Sequence, residues 1–265
     1  MLYNYLKISI RNLQRHTSYS IINILGLALG IACGLLIFSL VKHHLSFDNF
    51  HSDSNRIYRL VTEQHRDQVS YTWGVPSPLG KAFRDDYTFA EKVGRIFTFD
   101  EQLISIEENG QLKKFKDDVA FAETTYFEIF NYPMAEGNMQ SALKDPGSVV
   151  ITQTIAKKYF GNENPINKAF RLDGRIDLKV TGILKDLPEN TDRRTQIYIS
   201  HPTLKSYNEW FASDDSWGGI STSTQCFVLL KPGINTADVE KVFPAYVTKF
   251  RPTSKNIHHY KLQPL

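Results

Sequence analysis

The stretch GVPSPLGK, which begins at Gly74, is the part of the chain closest to a nucleotide-binding motif. A phosphate loop has two glycines separated by four residues, followed by lysine and then a serine or threonine that binds magnesium. Here five residues separate Gly74 from Gly80, and Ala82 stands at the magnesium position. Pro76 and Pro78 also remove two backbone N–H donors that would hold phosphate. The sequence therefore predicts that the chain itself does not hydrolyse ATP.

His44, Asp48 and His51 have the residue types and spacing of metal ligands if the chain is helical around them. A metal site also needs a supporting shell that orients the ligands. The alternative, which we favour, is a solvated stalk that continues a preceding helix. We therefore expect neither a metal site nor a bound cofactor.

Catalytic signatures of common hydrolases and redox enzymes do not occur in the sequence. It contains no GxSxG, HExxH or CxxC motif. The acidic pairs Asp85-Asp86 and Asp214-Asp215 consist of adjacent residues, whose side chains diverge on a helix or strand. We interpret them as solvated loop or cap residues, and we expect no catalytic residues. A hydrolase outside the cytoplasm is accordingly the least favoured function.

An uncharged run from Ile21 to Val41 is the first element that positions the rest of the chain. Its length is about that needed to cross ~30 Å of hydrocarbon as a helix. A cleaved signal peptide has a shorter apolar region. The sequence around Cys33 loosely resembles a lipoprotein cleavage site, but it lies in the middle of the run. We therefore predict a transmembrane helix over residues 21–41.

Charge is distributed unevenly on the two sides of this run. Residues 1–41 contain Lys7, Arg11 and Arg15 and no acidic residue, whereas the remainder holds 28 basic and 28 acidic residues. The basic flank predicts a cytoplasmic N-terminus, with residues 42–265 on the other side of the membrane. A neutral body without a basic stripe argues against nucleic-acid binding.

Residues 1–20 form a lead-in to the span. Leu6, Ile10 and Leu13 share one helical face, beside the three basic residues. This pattern fits an amphipathic helix at the membrane interface. It fits equally well a flank that only sets the topology of the span.

Three glycines, Gly26, Gly30 and Gly34, are spaced four residues apart within the apolar run. Each glycine costs a helix about 1 kcal/mol relative to alanine. Glycines on one side of a membrane helix allow another helix to approach closely. Glycine is also common in membrane helices in general, but the threefold repeat favours a helix-packing face in a bundle or dimer.

The region after the span has the patterns of a mixed α+β body. Residues 42–55 read as a stalk and residues 56–265 as the body. Strand–helix–strand patterns occur at 56–100 and again at 220–265, which predicts a ferredoxin-like subdomain assembled from both ends of the body. Residues 101–219 would then be an inserted, strand-rich subdomain.

Two hairpins are predicted within this insertion. Asn109-Gly110 and Asp173-Gly174 each separate two runs of strand-forming residues. Asn-Gly and Asp-Gly are strong hairpin signals because both residues tolerate positive φ. The alternation of apolar residues around the second turn predicts a half-buried sheet.

Helix boundaries in the body are marked by capping residues. Thr152 is a plausible N-cap for a helix that ends at Gly161. Ser77 is a possible cap before a second helix, and Pro133 would end a third. A further helix is predicted from Thr236 to about Phe250.

Several segments, in the same order along nearly the whole chain, together resemble the FtsX/MacB-like family of ABC transporter permeases. They are NYLKISIRNLQRHTSYSIINILGLALGIACGLLI, FDNFHSDSNRIYRL, TYFEIFNYPMAEGN, ALKDPGSVVITQTIAKKYFGNENPINKAFRL and LKVTGILKDLP. The resemblance implies a first membrane helix followed by a MacB-like periplasmic core domain with two subdomains. It identifies no catalytic residues.

The resemblance also implies a mechanism and partners. Such permeases dimerise in the inner membrane, as homodimers or with a paired permease, and a separate ABC ATPase drives them. They transmit the motion of the ATPase across the bilayer (mechanotransmission) to periplasmic domains, for efflux, export or extraction of a substrate. Periplasmic or outer-membrane partner proteins are also implied.

Family members carry at least three further membrane helices after this domain, whereas the sequence stops at Leu265. We therefore expect the chain to be the N-terminal part of a longer permease. The alternative is a single-pass, dimeric sensor or binding module anchored outside the cytoplasm. The sequence does not indicate the substrate.

Overall fold

The computed structural model describes residues 2–108, 110–251 and 253–265. The chain divides into two units, Met1–Asn49 and Phe50–Leu265. The first unit contains helix α1 (Leu2–Arg15) and helix α2 (Thr17–Leu45), which are separated at His16. Helix α2 therefore includes the predicted span and extends beyond it at both ends. In α1 the side chain of Leu6, part of the predicted apolar face, lies outside the described residues.

The second unit, the body, contains eleven strands. They are β1 (Ile57–His65), β2 (Val69–Thr72), β3 (Ala90–Glu108), β4 (Gln111–Ala122), β5 (Met134–Glu136), β6 (Ser148–Thr152), β7 (Ala169–Leu172), β8 (Ile176–Leu184), β9 (Ile197–Ser200), β10 (Thr224–Leu230) and β11 (Ile257–Pro264).

Eight short helices accompany these strands. They are α3 (Leu79–Asp86), α4 (Thr124–Phe130), α5 (Met139–Ala142), α6 (Gln153–Phe160), α7 (Leu204–Tyr207), α8 (Glu209–Ala212), α9 (Thr236–Glu240) and α10 (Phe243–Phe250). The body is therefore a mixed α+β structure, as the sequence predicts.

Four strands from the two ends of the body lie side by side in the order β11-β1-β10-β3, and every neighbouring pair is antiparallel. One face of this sheet, which includes Leu60, Cys226 and Val228, packs against α3, α9 and α10. The opposite face, which includes Phe227 and Ile96, packs against α4. Each strand therefore alternates between two cores, as the period of two in a pleated strand requires.

Six strands from the middle of the chain close into a barrel. The pairing runs β3-β4-β9-β6-β8-β7, and β7 returns to pair with β3. Each of the six strands contributes two core residues that are two positions apart: Ile104 and Ile106, Val119 and Phe121, Val149 and Ile151, Phe170 and Leu172, Leu178 and Val180, and Ile197 and Ile199. Their common side is the barrel interior. Closure removes the exposed edges that a flat sheet of these strands would have.

Strand β3 belongs both to the four-stranded sheet and to the barrel. Its first half pairs with β10, and its second half pairs with β7. Between these halves the register with β4 shifts between Phe99 and Gln102, and Glu101 has a φ of 53°. A β-bulge of this kind bends the strand and increases its twist. The bulge therefore allows one strand to serve two differently curved assemblies.

The predicted turn and capping signals in the middle of the body are confirmed. Thr152 is the N-cap of α6, where its hydroxyl accepts a hydrogen bond from the backbone N–H of Ile155, and Gly161 ends the helix with a φ of 62°. Asp173 and Gly174 both have positive φ in the turn between β7 and β8. The other predicted hairpin joins β3 to β4, although Asn109 lies outside the described residues.

Three predicted helix boundaries are wrong in detail. Ser77 does not cap α3, because Pro78 occupies the N-cap position. Helix α4 ends at Asn131, which adopts the left-handed conformation, two residues before Pro133. The helix predicted over 236–250 is two helices, since a break precedes Phe243 and a proline opens α10.

Gly94 gives a test of the packing between the sheet and α4. A Cβ atom at Gly94 would lie 2.6 Å from the backbone nitrogen of Tyr126, so α4 would have to move. We expect Gly94→Ala to lower the free energy of unfolding by about 1–3 kcal/mol, measured by urea denaturation of the whole chain in neutral detergent. Gly218→Ala is the matched control, because a Cβ there meets nothing within 4 Å. Equal stability of the two variants would contradict this packing.

Candidate functional site

Helix α2 exposes apolar side chains along its whole length. None of its residues is buried, and leucine, isoleucine and phenylalanine side chains project from all sides. In the described part of the chain, α2 is the one helix long and apolar enough to cross a membrane. Such a surface is unfavourable in water and favourable in hydrocarbon.

The three glycines predicted to form a packing face lie in the middle of α2. The i, i+4, i+8 spacing of Gly26, Gly30 and Gly34 places them on one side of the helix. A Cβ atom built on any of them meets nothing within 4 Å. Contacts among the described residues therefore do not explain the glycines, and the groove along them is open to another helix.

The predicted topology residues lie on α1. Lys7, Arg11 and Arg15 are exposed and also follow a spacing of four residues, so they share one face. Exposed tyrosine, isoleucine and leucine side chains occupy the same helix. The structure therefore brings a basic face and apolar side chains together on the helix that precedes α2.

The segment that loosely resembles a phosphate loop is packed against protein. A Cβ atom at Gly74 would lie 2.3 Å from the carbonyl oxygen of Ser221, and one at Gly80 would lie 2.7 Å from the sulfur of Cys226. Val75 also forms a β-bridge with Ser221. Gly74 therefore allows close contact between two backbone segments, and Gly80 leaves room for the side chains of Cys226 and Arg95, which accounts for both glycines without a nucleotide.

The predicted metal ligands are divided between the two units. His44 is exposed near the end of α2, whereas His51 belongs to the body. The Nδ1–H of His51 donates a hydrogen bond of 2.9 Å to the carbonyl oxygen of Phe130. Over residues 2–108, 110–251 and 253–265, no group of three His, Cys, Asp or Glu residues could hold a metal ion.

A buried ion pair between Arg95 and Glu123 lies within the core of the body. The carboxylate of Glu123 accepts hydrogen bonds from Nε and Nη2 of Arg95, at 2.9 and 2.7 Å, and from the backbone N–H of Arg95 at 3.1 Å. It also accepts a bond of 3.2 Å from Nη1 of Arg84. The Arg95 side chain is 6% exposed and that of Glu123 is 13% exposed.

Arg95 extends this cluster to two loops. Its Nη1 donates to the carbonyl oxygen of Ser77 at 3.1 Å and to the carboxylate of Asp214 at 3.4 Å. Asp214 is half exposed, as its interpretation as a loop residue requires, and so is Asp85, which pairs with Lys81 at 3.0 Å. The cluster therefore connects β3, α3, the start of α4 and the loop after α8.

Burial and charge shift the pKa values of the groups around this pair. Burial raises the pKa of Glu123, but the attraction of Arg95 and Arg84 outweighs it and leaves the pKa below its usual range. Burial, and next the positive charge of Arg95, lower the pKa of His201 to about 4. Burial, and next the negative charge of Glu123, raise the pKa of Cys226 to about 12. The cluster is therefore built for an ionised Arg95–Glu123 pair beside a neutral histidine and thiol.

Sequence reasoning missed Arg95, although the strand carries a signal. Val93 and Phe97 lie on either side of it, and both are buried. In a strand, residues two positions apart lie on the same face. A residue with a buried neighbour two positions before it and another two positions after it therefore lies on the buried face. A charge in such a core-facing position indicates a buried partner, but the sequence does not identify Glu123 as that partner.

The described residues thus combine one long apolar helix with a mixed α+β body. The chain belongs to the family of MacB-like periplasmic core domains, whose sequence profile matches residues 20–246. The match covers most of α2 and most of the body. It confirms the resemblance to the FtsX/MacB-like family. Comparison with curated proteins gives no match.

Three solved structures share the fold. A domain described as part of a permease protein from Porphyromonas gingivalis superposes with a TM-score of 0.69 at 18% identity, covering 81% of this chain and 92% of that one. The periplasmic region of MacB from Actinobacillus actinomycetemcomitans gives 0.54 at 13% identity, covering 80% and 89%.

The third is the extracellular domain of YknZ, a noncanonic ABC-type transporter from Gram-positive bacteria. It gives a TM-score of 0.53 at 11% identity, covering 78% of this chain and 99% of that one. At these identities the three likenesses establish the fold of the body.

The histidine beside the ion pair predicts a pH dependence of stability. Because the pKa of His201 falls from 6.5 to about 4 on folding, the unfolded chain binds an extra proton between these values. Stability should therefore decrease as pH falls from about 6.5 to about 4, by up to about 1.4 kcal/mol per pH unit from this group. Urea denaturation of the His201→Gln variant across this range should show a shallower slope. Gly218→Ala provides the control, since it introduces no titrating group and should retain the original slope. An unchanged slope in His201→Gln would contradict the assignment.

Proposed function

We propose that this chain contributes the first membrane helix and the periplasmic body of a permease subunit in an ABC transporter of the FtsX/MacB type. The observation that carries the proposal is the family match over residues 20–246, which includes membrane helix and body together. In this function a separate ATPase supplies the energy, and the chain transmits its motion for export or extraction of a substrate. The chain itself is then not an enzyme and needs no cofactor.

The proposed topology places α2 across the inner membrane. The basic residues Lys7, Arg11 and Arg15 precede the span and favour a cytoplasmic N-terminus. Residues 42–265 would then lie in the periplasm. The exposed apolar surface of α2 and the electrically neutral remainder of the chain both support this arrangement.

The proposed partner of α2 is another membrane helix, seated on Gly26, Gly30 and Gly34. This helix could come from a second copy of the chain, from a paired permease or from a further helix of the same subunit. The open surface at all three glycines supports the proposal, because no residue in the described part of the chain occupies it. Periplasmic or outer-membrane proteins would be partners of the body.

The body is proposed to consist of a ferredoxin-like subdomain, residues 56–100 and 220–265, and an inserted subdomain, residues 101–219. The order β11-β1-β10-β3 with antiparallel neighbours supports the first assignment, since it corresponds to the order 4-1-3-2 of a split βαβ fold. The barrel interior, most of which comes from residues 101–219, supports the second.

The chain leaving α2 is fixed to the body just before β1 begins. Arg56 donates hydrogen bonds to the carboxylates of Asp53 and Glu91, at 2.6 and 2.9 Å, and to the carbonyl oxygen of Leu230 at 2.8 Å. Its partners lie on the segment before β1, near the start of β3 and at the end of β10. A displacement of the segment around Arg56 would therefore also displace the strands to which it is bonded.

Topology can be tested by labelling single introduced cysteines with a membrane-impermeant maleimide. We expect Ser70→Cys, in the body, to react in intact spheroplasts, and Asn4→Cys, in α1, to react only after permeabilisation. Both positions are exposed, and the native thiols are at Cys33 in the span and at Cys226 in the core. Labelling of Asn4→Cys first would reverse the proposed orientation.

The transport function can be tested by isolating the tagged chain from native membranes in neutral detergent. We expect recovery of an ATPase with a phosphate loop and of a second permease chain. Gly30→Leu should reduce recovery of the second chain about tenfold by blocking helix contact. Ala28→Leu, on a different side of α2, is the matched control and should change little. Recovery of a second copy without an ATPase would instead favour the single-pass sensor.

A further inference from the structure

A cavity of about 340 Å³ opens on the body, on the sheet face that α3, α9 and α10 leave uncovered. Its lining comes from β1, β3, β10, the residue after β2, α4 and the irregular segment between β8 and β9: Arg59, Trp73, Ile96, Thr98, Tyr126, Asp192, Arg193, Arg194, Thr195 and Gln225. The volume lies at the lower end of the range for small-molecule sites. The cavity therefore suits a compact ligand better than a long acyl chain or a polypeptide.

The charges around the cavity are predominantly positive. Three guanidinium groups, from Arg59, Arg193 and Arg194, line it, against the single carboxylate of Asp192. Guanidinium groups bind carboxylates and phosphates through paired, charge-assisted hydrogen bonds. The chain beyond residue 41 is electrically neutral in total. The excess of arginine at the cavity is therefore local, and it favours anionic ligands at this site.

Two of the three guanidinium groups make contacts that restrict their orientation. The central carbon of Arg193 lies 4.4 Å from the ring centre of Phe130 and 5.2 Å from that of Phe227. Arg59 donates from Nε and Nη2 to the side-chain oxygen of Gln263, at 3.2 and 2.9 Å. Aromatic rings and amide oxygens orient a guanidinium group. These contacts therefore fix the orientation of two guanidinium groups at the cavity wall.

Trp73 supplies a flat apolar wall beside these cations. Its Nε1–H donates to the carbonyl oxygen of Thr222 at 3.2 Å, and Arg59 lies 5.8 Å from its ring centre. The side chain nevertheless remains 48% exposed. A fixed, exposed indole next to a guanidinium can stack a planar group whose anionic substituent reaches the arginines.

We propose that this cavity binds a small organic anion, with a carboxylate or phosphate on Arg59, Arg193 and Arg194 and a planar apolar part on Trp73. Thr98, Thr195 and Gln225 offer further hydrogen bonds to polar substituents. The proposal does not depend on the transport function, since it follows from the lining of the cavity alone.

Fluorescence and calorimetric titrations of the full chain in neutral detergent test the proposal. The probes are phenyl phosphate, benzoate, inorganic phosphate and the neutral benzyl alcohol, each corrected for titration into empty micelles. Phenyl phosphate and benzoate distinguish the two anionic groups. The Trp73→Phe variant keeps a ring in the wall and identifies the share of the fluorescence change that arises in the cavity.

We expect saturable binding of phenyl phosphate or benzoate, with inorganic phosphate weaker and benzyl alcohol not detected. Arg59→Gln and Arg194→Gln should each weaken binding about tenfold or more. Arg193 is left unchanged because its aromatic contacts belong to the core. Arg171→Gln is the matched control, since Arg171 is exposed on β7 and pairs with Asp177 away from the cavity.

Several results would overturn the proposal. They are no saturable binding of either aromatic anion, equal binding of benzyl alcohol, or equal losses in Arg171→Gln and Arg194→Gln. Binding of inorganic phosphate as tight as that of phenyl phosphate would refute the stacking role of Trp73.

Discussion

The structure of the body depends on the buried pair of Arg95 and Glu123. Two charges removed from water are stable there only if they keep each other and their remaining hydrogen-bond partners. Glu123 meets this condition by accepting three bonds from Arg95 and one from Arg84, while Arg95 uses its remaining nitrogen on Ser77 and Asp214. Each partner comes from a different part of the chain, so the pair fixes their relative positions. Apolar contacts at this point would tolerate sliding, whereas directed bonds do not.

The pair lies on the strand that the two assemblies of the body share. Arg95 is in the first half of β3, within the four-stranded sheet, and the bulge between Phe99 and Gln102 leads into the barrel. A strand held by directed bonds in one half and closed into a barrel in the other has little freedom to slide against its neighbours.

Local features of the fold could be predicted from the sequence, and distant pairings could not. Thr152, Gly161 and the Asp173-Gly174 turn act through their own backbone geometry, so their residue types are sufficient evidence. Barrel closure depends on β7 meeting β3, and these strands are more than sixty residues apart. The hairpin patterns predict a half-buried sheet but do not reveal that its edges join.

The same distinction separates the two candidate sites. The glycines of α2 are readable because one helix carries all of them at a regular interval. The cavity is not readable, because Arg59 and Arg193 are distant in sequence and become neighbours only when the sheet is formed. Net charge gives no indication either, since a neutral total conceals a local excess of arginine. What the sequence does provide is the charge in a core-facing position, as at Arg95, which indicates a partner without identifying it.

The cavity lies between two parts of the body that are distant in sequence. Arg59 lies on β1, the first strand after α2, whereas Arg193 and Arg194 lie on the segment that joins two strands of the barrel, β8 and β9. An anion bound both by β1 and by the segment between β8 and β9 would stabilise an arrangement in which these arginines lie close together. It would shift the equilibrium between that arrangement and a more open one only by its difference in affinity for the two. Occupancy of the cavity would thus favour the arrangement in which β1 and the segment between β8 and β9 lie close together.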